Sequence, residues 1–158
     1  VADALRITIT GDDALERDLG IYADRLRRPF LLTDARERVV TYVTREAARQ
    51  IKEGQHGDYK ALSPTYRSWK SRRYPSRPLL VVTGRTVRSM TDEYSRDFHN
   101  QVSAGGRTLT VGTDYPVAGY HQKGTGRMPA RPLFVVTRRV AERMAETVAE
   151  ALPKKLGQ

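Results

Sequence analysis

The chain has no cysteine among its 158 residues. Disulfide frameworks, thiol nucleophiles and cysteine–zinc sites are therefore excluded, and the composition fits a reducing compartment. No apolar run approaches the ~20 residues that span a bilayer, so no membrane partner is expected. Val1 to Leu5 show no basic segment followed by an apolar one, so no signal peptide is expected. Histidine is scarce. His56, His99 and His121 lie far apart, and none has a second His, Asp or Glu at a spacing that would preorganise a metal site. Neither a metal nor a cofactor is expected. What the chain has in excess is positive charge: 28 Lys and Arg against 18 Asp and Glu, a net +10. Such a balance raises nucleic acid as a partner. Without a long block of like charge, it equally suits an acidic protein neighbour. A chain of this length buries roughly 68–70% of its unfolded surface, so one domain over 1–158 needs no staple.

The local patterns predict an α+β fold, a small antiparallel β-sheet packed by two long N-terminal helices and a C-terminal helix. Leu5, Ile7 and Ile9 alternate with polar residues as in a half-buried strand, which Gly11 ends. Asp12 or Asp13 can cap a first helix, whose stripe is Leu15, Leu19, Tyr22 and Leu26 and which Pro29 stops. Thr33 caps a second, with Val40, Val43, Ala47 and Ile51 as its stripe, Val39 and Ala48 beside it and Gly54 at its end. Ser63-Pro64 opens a short basic helix, and Thr83-Gly84 another through Met90. Tyr94, Phe98 and Val102, the Ala104-Gly105-Gly106 turn, then Leu109 and Val111 predict a hairpin over 94–112. Tyr115 to Tyr120 predicts a helical turn, and Gly124, Gly126 and Pro129 an irregular loop. The last helix is capped by Thr137, carries Val140, Met144, Val148 and Leu152, with Ala141 and Ala145 alongside, and ends at Pro153.

The search for chemistry centres on His121, which has Asp114 and several hydroxyls nearby in sequence. A triad needs a nucleophile on the imidazole and an acid behind it. No serine sits in a nucleophile-elbow context, so no catalytic residue is assigned and no enzymatic activity is expected. Gly124-Thr125-Gly126 lacks the further glycines and the Lys-Ser/Thr of a phosphate-cradling loop. Tyr66, Arg67, Trp69, Lys70, Arg72, Arg73 and Tyr74 interleave aromatic and basic residues, as surfaces that stack and hold nucleic acid do. The spacing puts Tyr66 and Trp69 on one side, which favours core anchors under a basic outer face.

One set of segments has a familiar order: Trp69-Lys70, Leu79 to Arg85 with its Thr83-Gly84-Arg85, Val87, Ser89-Met90, Val111-Gly112-Thr113, and Tyr115 to Tyr120. His121-Gln122-Lys123-Gly124-Thr125 and Met128-Pro129-Ala130-Arg131-Pro132-Leu133-Phe134 complete it. Over about residues 60–150 the chain resembles the phage virion-morphogenesis family, which contains the tail-completion proteins of Mu-like phages and their prophage relatives. Leu133-Phe134 departs from the family pattern, in which phenylalanine follows the proline directly. The resemblance implies a structural protein of the head–tail junction (neck, tail completion or tail terminator), assembled in the host cytoplasm and resident in the virion. It implies a ring, a hexamer rather than a dodecamer, touching other neck, head-closure or tail-tube proteins, with genomic double-stranded DNA passing non-specifically through the lumen. It implies no catalytic residue and no cofactor. Tyr120, His121, Gln122, Gly124, Arg131 and Phe134 are the expected assembly interface. Arg131, held extended between Pro129 and Pro132, is its polar anchor. The alternative is a basic DNA-binding module with Arg67, Lys70, Arg72 and Arg73 facing DNA.

Overall fold

The computed structural model describes residues 6–10, 28–31, 33–54 and 59–151. Its longest helix, α1 (Thr33–Glu53), forms where the apolar spacing is most regular. Val40, Val43, Ala47 and Ile51 are buried along it together with Val39. Ala48 is exposed, because a further 100° of rotation from Ala47 carries it off the stripe. Arg38 pairs with the exposed Asp34 at 2.9 Å, and Arg49 bridges the buried Glu46 to the exposed Glu53. Gly54 follows for a steric reason. A Cβ there would lie 2.3 Å from the Tyr59 ring, so only glycine lets Tyr59 return to bond its N–H to the Gly54 carbonyl at 2.9 Å.

Helix α2 (Pro64–Arg73) starts as expected. Proline occupies its first turn and the Ser63 hydroxyl accepts the Tyr66 N–H at 3.4 Å. Helix α3 (Arg85–Thr91) follows Gly84 and buries Thr86, Ser89 and Met90. Strands β2 (Phe98–Val102) and β3 (Thr108–Thr113) form the hairpin, with Leu109 and Val111 buried. Tyr94 does not belong to it and is 90% exposed. The Asp92 carboxylate accepts the Tyr94 N–H at 3.0 Å, a local turn that delays the strand by four residues. Strand β1 (Arg6–Thr10) lies on the other side of β3, giving the order β1-β3-β2.

Helix α4 (Pro116–Lys123) is longer than the expected turn and takes in His121 and Gln122. Helix α5 (Arg138–Ala151) is capped by Thr137, whose hydroxyl accepts the Val140 N–H at 3.3 Å. Val140, Met144 and Val148 are buried as predicted. Ala141 and Ala145 are exposed, and Thr147 is the buried neighbour instead, its hydroxyl turned back onto the Arg143 carbonyl at 2.7 Å. The expected first helix with its Asp12 or Asp13 cap, the side chains of Ile7 and Ile9, Leu152 and His56 lie outside the described residues.

The fold is α+β. Its described residues form two compact units. One, from residues within 44–98 and 112–135, has Ala47, Ile51, Leu80, Met90, Ala118, Leu133 and Phe134 as its core. The other, from residues within 6–43, 99–111 and 136–158, is built on Phe30, Val39, Val43, Leu109, Val111, Val140 and Met144. No helix among the described residues is long and apolar enough to cross a membrane.

Candidate functional site

The extended run 131–135 carries the sequence's most distinctive motif. Pro132 disfavours helix, and the run belongs to no strand, so its backbone groups must find partners elsewhere, chiefly among side chains. They do so in the first unit. The Arg131 N–H donates to the His121 carbonyl at 2.7 Å, and the Tyr59 hydroxyl donates to the Pro132 carbonyl at 2.6 Å. Gln122 then acts as a surrogate strand. Its Oε1 accepts the N–H groups of Leu133 (2.8 Å) and Phe134 (3.3 Å), and its Nε2 donates to the Phe134 carbonyl at 2.7 Å. Gln50 repeats the arrangement one residue on, accepting the Val135 N–H at 2.7 Å and donating to its carbonyl at 3.1 Å. With the backbone satisfied, Leu133 and Phe134 can both bury their side chains, each worth about 1.5–3 kcal/mol. The displaced phenylalanine is thereby accommodated.

Arg131 is 3% exposed. Its Nε donates to the Lys60 carbonyl at 2.9 Å and its Nη2 to the Ala61 carbonyl at 3.1 Å. The guanidinium thus fastens the 60–61 segment to the motif and faces inward. This corrects the expectation of an outward polar anchor. Phe134 is corrected likewise, being a core residue, and Gln122 is engaged with the backbone. Gly124 is conformational: its φ is +76°, and a Cβ would lie 2.8 Å from the Ala130 nitrogen. Of the expected interface set, Tyr120 is exposed and His121 half-buried.

His121 lines a cavity of about 630 Å³ in the same unit, walled by Leu62, Tyr66, Leu79, Leu80, Val117 and Met128 among others. Burial, and secondarily the nearby Arg131 charge, holds the imidazole below the usual histidine range, so it is neutral at pH 7. Its Nδ1 is buried and has no hydrogen-bond partner. The acid-to-imidazole bond of a triad is therefore not formed at that nitrogen.

Thr83-Gly84-Arg85 also acquires a reason. Arg85 grips Asp97 with two parallel bonds of 2.6 and 2.7 Å and lies over the Tyr115 ring at 4.4 Å. That hydrogen-bonded guanidinium holds the Asp97 carboxyl below the usual carboxylate range. The Asp97 carbonyl in turn accepts the Thr113 hydroxyl (3.0 Å) and the Asp114 N–H (2.8 Å). Arg85 thus ties the start of α3 to the residues that lead into α4.

Helix α2 departs from the expected burial: the lysine is buried and the two aromatics are not. Tyr66 and Trp69 are 42% and 45% exposed, whereas Lys70 is 4% exposed. The Lys70 ammonium donates to the carbonyls of Pro78 and Leu79, the latter at 2.8 Å, and burial pushes its pKa below the ordinary lysine range. Two turn carbonyls need a cation more than the core needs a second aromatic. Lys70 is accordingly removed from the DNA-facing set. Arg67, Arg72 and Arg73 remain exposed. Sequence reading missed Gln50 and Tyr59, which lie inside or just after an ordinary helix and carry no local signal of their partners.

Comparison with known proteins places these motifs. The model of the phage virion morphogenesis family matches residues 24–153. No curated protein and no solved structure matches the chain.

Proposed function

The chain belongs to the phage virion morphogenesis family, and on that premise we propose that it is a non-catalytic structural protein of the head–tail junction. It forms part of a ring, as a neck, tail-completion or tail-terminator component, that joins tail to capsid and lets the genome pass. The family match over 24–153 carries this reading. The ring is a hexamer rather than a dodecamer, and its neighbours are other neck, head-closure or tail-tube proteins. A closed ring needs two different complementary surfaces on each copy. The exposed side of α4 and the following turn, with Tyr120, Thr125 and Arg127, supplies one of them. The Gln122, Gly124, Arg131 and Phe134 frame shapes that turn from behind. His121 assists assembly and performs no chemistry.

Electron microscopy of purified virions tests the location. Density for this chain between portal and tail tube is the expected result. Density in the capsid shell or tail tip, or normally joined particles in its absence, overturns it. A second reading, a basic DNA-binding module, draws on one observation: Arg67, Arg72 and Arg73 are exposed in a stretch, 59–91, that holds no Asp or Glu. Lumen contact predicts weak duplex binding that falls steeply with salt. Tight binding to one sequence that persists at high salt favours the module.

A further inference from the structure

Apart from Lys70, every residue of α2 is exposed. Tyr66, Trp69 and Arg73 stand at i, i+3 and i+7 and line one side, the spacing by which a helix anchors into a partner. The two rings stack with centroids 5.2 Å apart, and Tyr74 meets Trp69 edge-on at 5.7 Å. The platform is preorganised, because Ser63 caps one end of the helix and Lys70 pins the other to the 78–79 turn. Tyr66 is also a wall of the 630 Å³ cavity, whose lining is chiefly apolar and includes His121. Tyr66 at that wall, with Trp69 and Arg73 along the same side of the helix, are of the residue types that concentrate binding energy in protein interfaces.

Charge identifies the partner's sign. Between Tyr59 and Thr91 the chain has eight Lys and Arg and no acidic residue. Among the described residues, Asp34, Glu46 and Glu53 on α1 and Glu142, Glu146 and Glu150 on α5 already pair with arginines of the same helix, so these carboxylates of a second copy are poor candidates. Nucleic acid fits less well than protein. Each ring of the stack already covers one face of the other, and a sugar–phosphate backbone has no apolar group to fill the cavity.

We propose that α2 and the cavity beside it dock an acidic segment of another virion protein. One large aliphatic side chain of that segment enters over Leu79, Leu80 and Val117, and its carboxylates pair with Arg73. The inference deepens the assembly reading and rests on it for the partner being a virion protein. It uses the isolated full chain as its test, so its failure leaves the head–tail location untouched.

Trp69 is the only tryptophan, so its fluorescence reports occupancy directly. The probes are a short peptide of Glu and Ser around a central Leu, the same peptide with central Ala, an oligo-dT and a blunt DNA duplex. The Leu peptide should give a saturable spectral shift. The Ala peptide should bind at least about tenfold more weakly, as removal of a buried aliphatic group requires. Val117→Phe, which fills the cavity, and Arg73→Glu, which reverses an exposed charge, should each weaken the Leu peptide by a similar factor at an unchanged melting midpoint. If Val117→Phe fails to fold, Arg73→Glu alone decides. Three results overturn the proposal: no saturable shift with the Leu peptide; a larger shift with oligo-dT or duplex, which assigns the surface to nucleic acid; or a shift that follows chain concentration together with a doubling of mass in sedimentation, which assigns it to a second copy.

Discussion

Replacing Arg131 separates a framework role from an interface role. Arg131→Met keeps most of the alkyl stem and removes the bonds to the Lys60 and Ala61 carbonyls, 2.9 and 3.1 Å long. A bond from a charged donor contributes about 1.5–3 kcal/mol. Here both acceptors belong to exposed residues, so water recovers part of the loss and a total of about 1.5–3 kcal/mol is expected. Arg131→Ala also removes the buried stem and should lose about 3–5 kcal/mol. Arg131→Lys should not restore the wild-type value, since one ammonium cannot reproduce a planar fork. At roughly 2–4 °C per kcal/mol, the alanine variant should melt about 6–20 °C lower. Urea unfolding followed by Trp69, in the same unit as Arg131, measures the series. Complementation at a temperature where each variant is folded should give normally tailed particles. An Arg131→Met protein within about 0.5 kcal/mol of wild type, with tail joining lost, would refute the framework assignment and return Arg131 to the interface.

Gln122→Leu conserves volume but strips two N–H groups and a carbonyl of the 133–134 backbone of their partner; a loss of about 2–4 kcal/mol by denaturant unfolding is expected. Gly124→Ala should lose about 2–4 kcal/mol, from positive-φ strain and the clash with Ala130. Gly126→Ala, where a Cβ meets nothing within 4 Å, should stay within about 0.5 kcal/mol. Because the folded-state pKa of His121 lies below its unfolded value of 6.5, its contribution is complete above that pH and is lost as pH falls toward the folded pKa. Unfolding midpoints should therefore drop on acidification from about pH 6.5, and His121→Gln should flatten that drop; an unchanged slope would remove His121 as its source.

Helices α1, α2, α3 and α5 could be placed from sequence because their determinants are local. An apolar stripe repeats every three or four residues, and Ser63-Pro64, Gly84 and Thr137 mark starts through bonds or conformations within one turn. The hairpin turn and the buried Leu109 and Val111 were legible for the same reason, whereas the His121-Gln122 and Arg131-to-Phe134 motifs stood out only through the resemblance to the family. What those motifs do was not legible. Gln50 meets Val135 across 85 positions and Arg131 meets Lys60 across 71. No periodicity reports such a pairing, since an amide or guanidinium reads the same whether its acceptor is a neighbour's carbonyl or its own chain's. Helix α2 gives the sharpest case. Tyr66, Trp69 and Lys70 lie on one flank, and the pattern alone favours burying the aromatics. Only the folded chain brings the carbonyls of Pro78 and Leu79 to that flank, and such a pair requires donors that one ammonium supplies at once. That requirement buried the lysine and left the aromatic pair at the surface.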